Sequence, residues 1–162
     1  MISTSALRIH HARWAELSLA EFYEIARLRY DVFALEQRVE DEDFDGRDAL
    51  ADTEHWWISD PEVAVVCYLR LLRPADDEVQ PDNSPAATWV VGRMATARST
   101  RSQGLAHQLL ETVLAAHPDD PFVLHAQIHA AGLYEKSGFV RFGEPYSEAG
   151  IQHIGMYRPA GR

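Results

Sequence analysis

The chain lacks the features that would staple it covalently or hold it in a membrane. Its 162 residues include a single cysteine, Cys67, so no internal disulfide can form, and such sparse cysteine fits a reducing compartment. No apolar run approaches the roughly 18–20 residues of a membrane span. The opening "MISTSALRIHHARW" has no apolar core of the kind a signal peptide carries. A cytoplasmic location without membrane attachment is therefore expected. Neither a repeat nor a low-complexity tract interrupts the sequence, and one domain over residues 1–162 is long enough to bury a core. Two catalytic signatures are also missing. There is no Gly-x-Ser-x-Gly elbow, which removes the commonest serine-hydrolase pattern, and no Gly-Lys-Ser/Thr ending of a Walker loop. Lysine is almost absent: Lys136 stands alone, in "YEKSGF", where a surface helix turn is expected.

Acid is what the chain has in excess. Its formal charge is −10, and residues 36–60 alone hold ten acidic residues against two arginines. A concentrated acidic face argues against nucleic acid, whose phosphates require Lys and Arg, and attracts a metal, an amine or a basic partner. Within it, "DEDFDGRDALAD" (41–52) begins like a calcium loop, with Asp41, Asp43, Asp45 and Gly46 at the right spacing. The remainder does not follow. Position twelve is Asp52 where a calcium loop needs a bidentate Glu, position eight is Asp48, and the exit "TEHWWIS" reads as a strand. No metal is expected. The histidines His55, His125, His129 and His153 are too scattered to form a zinc-ligand motif.

The pattern of elements predicts an α/β (α+β) sandwich with a mixed sheet. Residues 18–36 read as a helix opened by a Ser18/Glu21 capping box and a Leu17–Phe22 staple, with Phe22, Ile25, Leu28 or Arg29, and Val32 on one face. "HWWIS" (55–59) and "EVAVVCYLRLL" (62–72) read as strands, and 73–86 as a polar loop. Then follow a strand at 88–97 with Gly92 marking a bulge or close approach, and a helix at 102–117. A strand at 122–130, a short helix at 131–137 capped by Gly138, and strands in "FVRFG" and "IQHIGMY" complete the chain. Cys67 reads as an inert core residue.

The sharpest local signal is Arg101-Ser102-Gln103-Gly104-Leu105-Ala106, where a strand hands over to a helix. Small residues there let backbone N–H groups approach an anion, and the helix dipole adds positive potential. Arg98 and Arg101 supply formal charge, while the glycine count is too low for a dinucleotide fingerprint. Mere helix capping would also explain one glycine. In the wider order "VVGRMATARSTRSQGLAHQLL" then "VLHAQIHAAGLYEKSGF", this stretch resembles the acyl-CoA pyrophosphate loop of the Gcn5-related N-acetyltransferase (GNAT) superfamily. Within that superfamily the chain is most similar to ElaA-like proteins, through "LRYDVFALEQ", "DFDGRD", "HWWI", "GRMAT", "AQIHAAGLYEKSGF" and "EAGIQHIGM".

The resemblance implies a mostly antiparallel sheet with splayed central strands, and direct acetyl transfer from acetyl-CoA to an amine in a ternary complex. It assigns the pantetheine arm to Met94, Ala95 and Thr96, and the pyrophosphate to Arg101, Ser102, Gln103, Gly104, Leu105 and Ala106. Tyr134 takes the position of the general acid. Glu36 and His129 are candidates for the base, His129 because His125, Gln127 and His129 would share one face of a strand. Gln37, Gln127 and His153 are expected on the acceptor side, with Asp43, Asp45 and Asp48 as a negative rim for an amine. Two other readings stay open. One is a non-catalytic acyl-CoA-binding module on the same fold, and the other is a calcium sensor. A homodimer is compatible with the sequence but nothing in it requires one.

Overall fold

The computed structural model describes residues 6–161, so the outer bounds of the expected 1–162 domain, and residues 1–5 of its opening segment, lie outside the described residues. Seven strands join one sheet: β1 (Arg8–Arg13), β2 (Glu54–Ser59), β3 (Val65–Leu72), β4 (Trp89–Thr96), β5 (Phe122–Gln127), β6 (Val140–Glu148) and β7 (Ile151–Arg158). Their spatial order is β1-β2-β3-β4-β5-β7-β6, and every pairing is antiparallel except β4 with β5. One face carries α2 (Leu105–Ala116) and α3 (Ala131–Glu135), and the other carries α1 (Leu19–Arg29). β3 lies under both layers, and all eight of its residues are buried. A strand covered on both faces must be apolar almost throughout, which is why "VVCYLRLL" shows no alternation.

Several boundaries differ from the sequence reading. The helix expected over 18–36 opens as foreseen: Ser18 Oγ accepts from the Glu21 amide (3.1 Å), and Glu21 accepts from the Ser18 amide (2.8 Å). Phe22 packs its ring edge-on against Trp14 and Phe44, and Leu17 packs against the core cluster of α1. After Arg29 the winding loosens into a π-helical segment, Tyr30–Glu36, where the Gln37 amide reaches back five residues to the Val32 carbonyl (3.0 Å). Such widened turns are frequent at functional sites. β1 was not foreseen, because "RIHHAR" is too polar to stand out, yet it forms the sheet edge against β2. The strand expected over 62–72 begins only at Val65, and the helix over 102–117 begins at Leu105. The strand over 122–130 stops at Gln127. His129 therefore sits in an exposed 3-10 turn, not on a strand face with His125 and Gln127. Gly138 closes α3 in the left-handed region (φ +87°), as its cap position requires.

The acidic loop folds inward. Arg29 on α1 is fully buried and Arg70 on β3 is 2% exposed. Arg29 donates to Asp48 (2.6 Å) and to both carboxylate oxygens of Asp43 (3.1 Å each). Arg70 grips Asp45 with two parallel hydrogen bonds of 2.9 Å and also reaches Asp48 (3.1 Å). His55 seals the base of this network, donating from Nε2 to the Asp48 carbonyl and accepting from the Tyr68 hydroxyl at Nδ1 (2.7 Å). Gly46 makes the intervening turn with φ +79°.

Burial alone would raise the Asp48 and Asp45 carboxyls, but the arginines outweigh it and hold both below the ordinary carboxylate range. A depressed carboxyl stabilises the fold above its unfolded value, near 3.9, and loses that contribution as pH falls toward the folded value. Urea unfolding is thus expected to show stability declining below about pH 4, with a shallower decline in Asp48→Asn. At neutral pH the same variant should lose about 3–5 kcal/mol, because it removes the carboxylate that two buried guanidinium groups share and leaves Arg29 to Asp43 and Arg70 to Asp45 alone.

Candidate active site

The parallel ladder between β4 and β5 is short. It joins Trp89, Val90 and Val91 to Phe122, Val123 and Leu124, and then the strands separate. Beyond that point β4 pairs only with β3, and β5 only with β7. Met94, Ala95 and Thr96 therefore border a wedge-shaped gap that an extended chain could enter and pair with. At the apex β4 bulges: Leu69 on β3 faces both Arg93 and Met94, between the pairs Tyr68–Ala95 and Arg70–Gly92. The left-handed residue is Arg93 (φ +54°), not the neighbouring Gly92. A non-glycine residue there is strained. Arg93 is held by Asp43 (2.8 Å) and Asp45 (3.4 Å), and by the carbonyl oxygens of Glu42 and Asp43. The acidic loop thus pins the bulge.

One side of the gap is cationic. A cavity of about 360 Å3 is lined by Thr96, Arg101, Ser102, Gly104, Leu105, Ala106, His107 and Lys136, among others. Gly104 takes the N-cap of α2 at φ +77°, and no side chain caps that helix, so its first-turn amides face the cavity mouth. The structure brings together here Thr96 and every residue of the Arg101–Ala106 loop except Gln103. Lys136 and His107 were missed from the sequence. Lys136 reads as a surface lysine until α3 folds beside α2. Tyr134 of α3 is 7% exposed, in the same core cluster as Cys67, whose Sγ lies 3.5 Å from the Thr96 hydroxyl. Burial pushes the Cys67 thiol up to about 11 and raises the Tyr134 phenol too, so both stay protonated at neutral pH.

The opposite face of the sheet carries the groups expected toward an acceptor. Strand pairing sets Arg70 opposite Gly92 on one side of the gap, and on the other it aligns His125, Gly155 and Phe142 in one row and Gln127, His153 and Tyr146 in the next. Gln37, at the end of the π-helical segment, exchanges hydrogen bonds with Gln127 (2.9 and 3.3 Å), closing α1 onto β5. His153 donates from Nδ1 to the Ile151 carbonyl (2.8 Å), which leaves the Nε2 lone pair free, and its ring stacks on Tyr146 (5.8 Å). Glu36 is bound to Arg101 (2.8 Å) across the mouth of the gap. Asp43, Asp45 and Asp48 spend their charge on three arginines, so the rim drawn from the sequence is an internal network, and the exposed acid of the loop is Glu40, Asp41 and Glu42. His55 is buried on β2, away from the other three histidines. A larger hollow of about 430 Å3 beside His10, Glu16, Glu21 and Trp57 lies at the β1 edge, far from the gap. Its two glutamates close backbone caps.

The profile of an acetyltransferase (GNAT) domain matches residues 33–158. Protein ElaA of Escherichia coli is 36% identical over 156 residues, covering 93% of each chain. Among solved structures, an acyl-CoA N-acyltransferase from Pseudomonas aeruginosa superposes with a TM-score of 0.80 at 37% identity, over 94% of this chain and 99% of that one. The crystal structure of Escherichia coli ElaA gives 0.78 at 33%, over 94% and 99%.

The bulge supplies a test of its own. Arg93→Gly relieves the left-handed strain while losing the ion pairs, whereas Arg93→Ala loses the pairs and keeps the strain. In urea unfolding the glycine variant should be the more stable of the two by about 1 kcal/mol, an inversion of the usual ranking within a strand.

Proposed function

The chain belongs to the GNAT acetyltransferase family, and on that premise we propose that it transfers the acetyl group of acetyl-CoA to a primary amine by direct attack. Acyl-CoA-dependent acyl transfer is the activity the family supports in general. The observation that carries the finer reading is the gap opening after Val91 and Leu124, with a cationic helix N-terminus on one side and an aromatic, carboxylate-bearing face on the other. The pyrophosphate belongs at the α2 amides with Arg101 and Lys136, and the pantetheine arm along Met94–Thr96. A main-chain N–H of the bulged strand polarises the thioester carbonyl, where charge develops.

The acceptor brings a proton problem. An alkylammonium group near pKa 10.4 costs about 4–5 kcal/mol to deprotonate at pH 7. His153 is the assigned base, because its Nε2 is free while Nδ1 is fixed by a backbone carbonyl. Glu36 is tied to Arg101, and His129 lies exposed beyond the end of β5, so neither is preferred. The amine nitrogen bonds to the carbonyl carbon, the tetrahedral oxyanion collapses, and the C–S bond breaks. The departing thiolate takes the Tyr134 proton, the group whose burial keeps it protonated until then.

Calorimetry with acetyl-CoA and a thiol-release assay over a panel of amines test this reading. Tyr134→Phe should lower kcat by at least about 100-fold while acetyl-CoA affinity changes little, and His153→Gln should act similarly through the other proton. Wild-type protein that binds acetyl-CoA but acylates nothing in the panel would instead mark a non-catalytic acyl-CoA-binding module.

A further inference from the structure

The loop between β3 and β4 places one more acidic group over the acceptor face. Glu78 accepts a 2.5 Å hydrogen bond from His125 Nε2. The Nδ1 atom of that ring is enclosed without a partner. A proton on Nδ1 would be a buried, unsatisfied donor, so the ring is read as the Nε2–H tautomer donating to Glu78. The carboxylate is oriented by its histidine and meets no arginine among the described residues. This distinguishes Glu78 from Asp43, Asp45, Asp48 and Glu36, each of which faces an arginine.

Its position is also defined by register. His125 is the first residue of β5 past the last β4–β5 pair, as Gly92 is on β4, one residue before the bulge at Arg93–Met94. Glycines stand on either side of it, Gly155 paired with it on β7 and Gly92 across the gap on β4. Gly155 lies under the Phe142 ring, where even a Cβ would meet ring carbons at 2.6 Å, whereas a Cβ on Gly92 would meet nothing within 4 Å. There is open room above Gly92, and the Glu78–His125 pair stands on the strand across the gap from it. Tyr146 forms the far wall, edge-on to His125 (6.1 Å) and stacked on His153 (5.8 Å). Burial, followed by the charges of Glu148 and Glu78, pushes its phenol up to about 12.

The loop is rigid enough to hold such a group. Gln80 donates to the Ser84 hydroxyl (3.2 Å) and accepts from the Ala87 amide (3.0 Å), Ser84 donates to the Pro81 carbonyl, and Tyr157 of β7 donates to the Pro85 carbonyl.

We propose that Glu78, set by His125, is the counter-charge for the acceptor's ammonium head, and that the space between it, Gly92 and Tyr146 selects compact primary ammonium cations over neutral or anionic acceptors. A carboxylate and an aromatic face attract the same cation from two directions. The assignment rests on the acetyltransferase reading, and it names the substrate class of that site.

The test compares n-butylamine, which is cationic at pH 7, with aniline, which is not. In Glu78→Gln, kcat/KM for butylamine should fall by about tenfold or more, mainly through KM, with aniline turnover and acetyl-CoA affinity nearly unchanged. Calorimetric titration of butylamine into the CoA-saturated protein should show the same loss without relying on turnover. Gly92→Val, which fills the open floor with a good strand former, should weaken amine use while sparing CoA binding. Unchanged butylamine affinity in Glu78→Gln, or an equal loss for aniline, overturns the assignment of Glu78 alone. A wild-type protein that binds no acyl-CoA overturns the acetyltransferase reading and this inference together.

Discussion

The buried ion network around Arg29, Arg70 and Asp48 is the constraint on which the rest of the molecule depends. Two guanidinium groups almost without solvent could not persist in the core unless carboxylates met them. The chain answers with a loop that carries three aspartates in six residues and folds onto α1 and β3. Three arginines and three aspartates balance, and the aromatic rings of Phe44 and Tyr68 lie against Arg29. Replacing this cluster with apolar side chains would cost less desolvation, so pure stability does not explain it. What an ionic cluster supplies is a single geometry, and here that geometry extends to Arg93 on the bulge.

The bulge is where structure passes into chemistry. A regular β4 would keep pairing with β5 and leave no gap. The ladder stops after three residue pairs, and the strained Arg93 is held at the apex by the same aspartates that hold the core arginines. The acidic composition therefore has a local meaning. Asp43, Asp45 and Asp48 are used internally, and the two sides of the gap differ in sign: Lys136 and the α2 amides on one, Glu78 on the other.

The elements that local chemistry specifies were legible in the sequence. The capping box at Ser18, the apolar stripe of α2, the left-handed Gly138 and the Gly104 turn into α2 are each written within a few neighbouring residues. Tertiary decisions were not. Gly92 drew attention as the bulge, yet the left-handed residue is Arg93, because a side chain with four anchors can hold a conformation its backbone disfavours. The aspartates read as a ligand surface because their arginine partners lie up to fifty residues away. His129 kept the alternation of a strand past the point where the chain turns. Glu78 carried no signal at all, being one acid in a polar loop until the fold set it beside His125, 47 residues on.

These two kinds of information divide the site unequally. The proposed cofactor side rests on backbone amides, a glycine and a helix end, features that any chain must encode locally to form them. The proposed acceptor side is assembled from side chains on β5, β6, β7, the π-helical segment and the β3–β4 loop, joined only by register and by long-range contacts. Glu78 and Tyr146 take part in neither the cationic cavity nor the ion network. On the proposed reading the scaffold can thus hold its acyl donor constant while the acceptor is redefined by single substitutions on the opposite face, and the physical basis for that independence is the gap itself, which gives the two substrates separate walls.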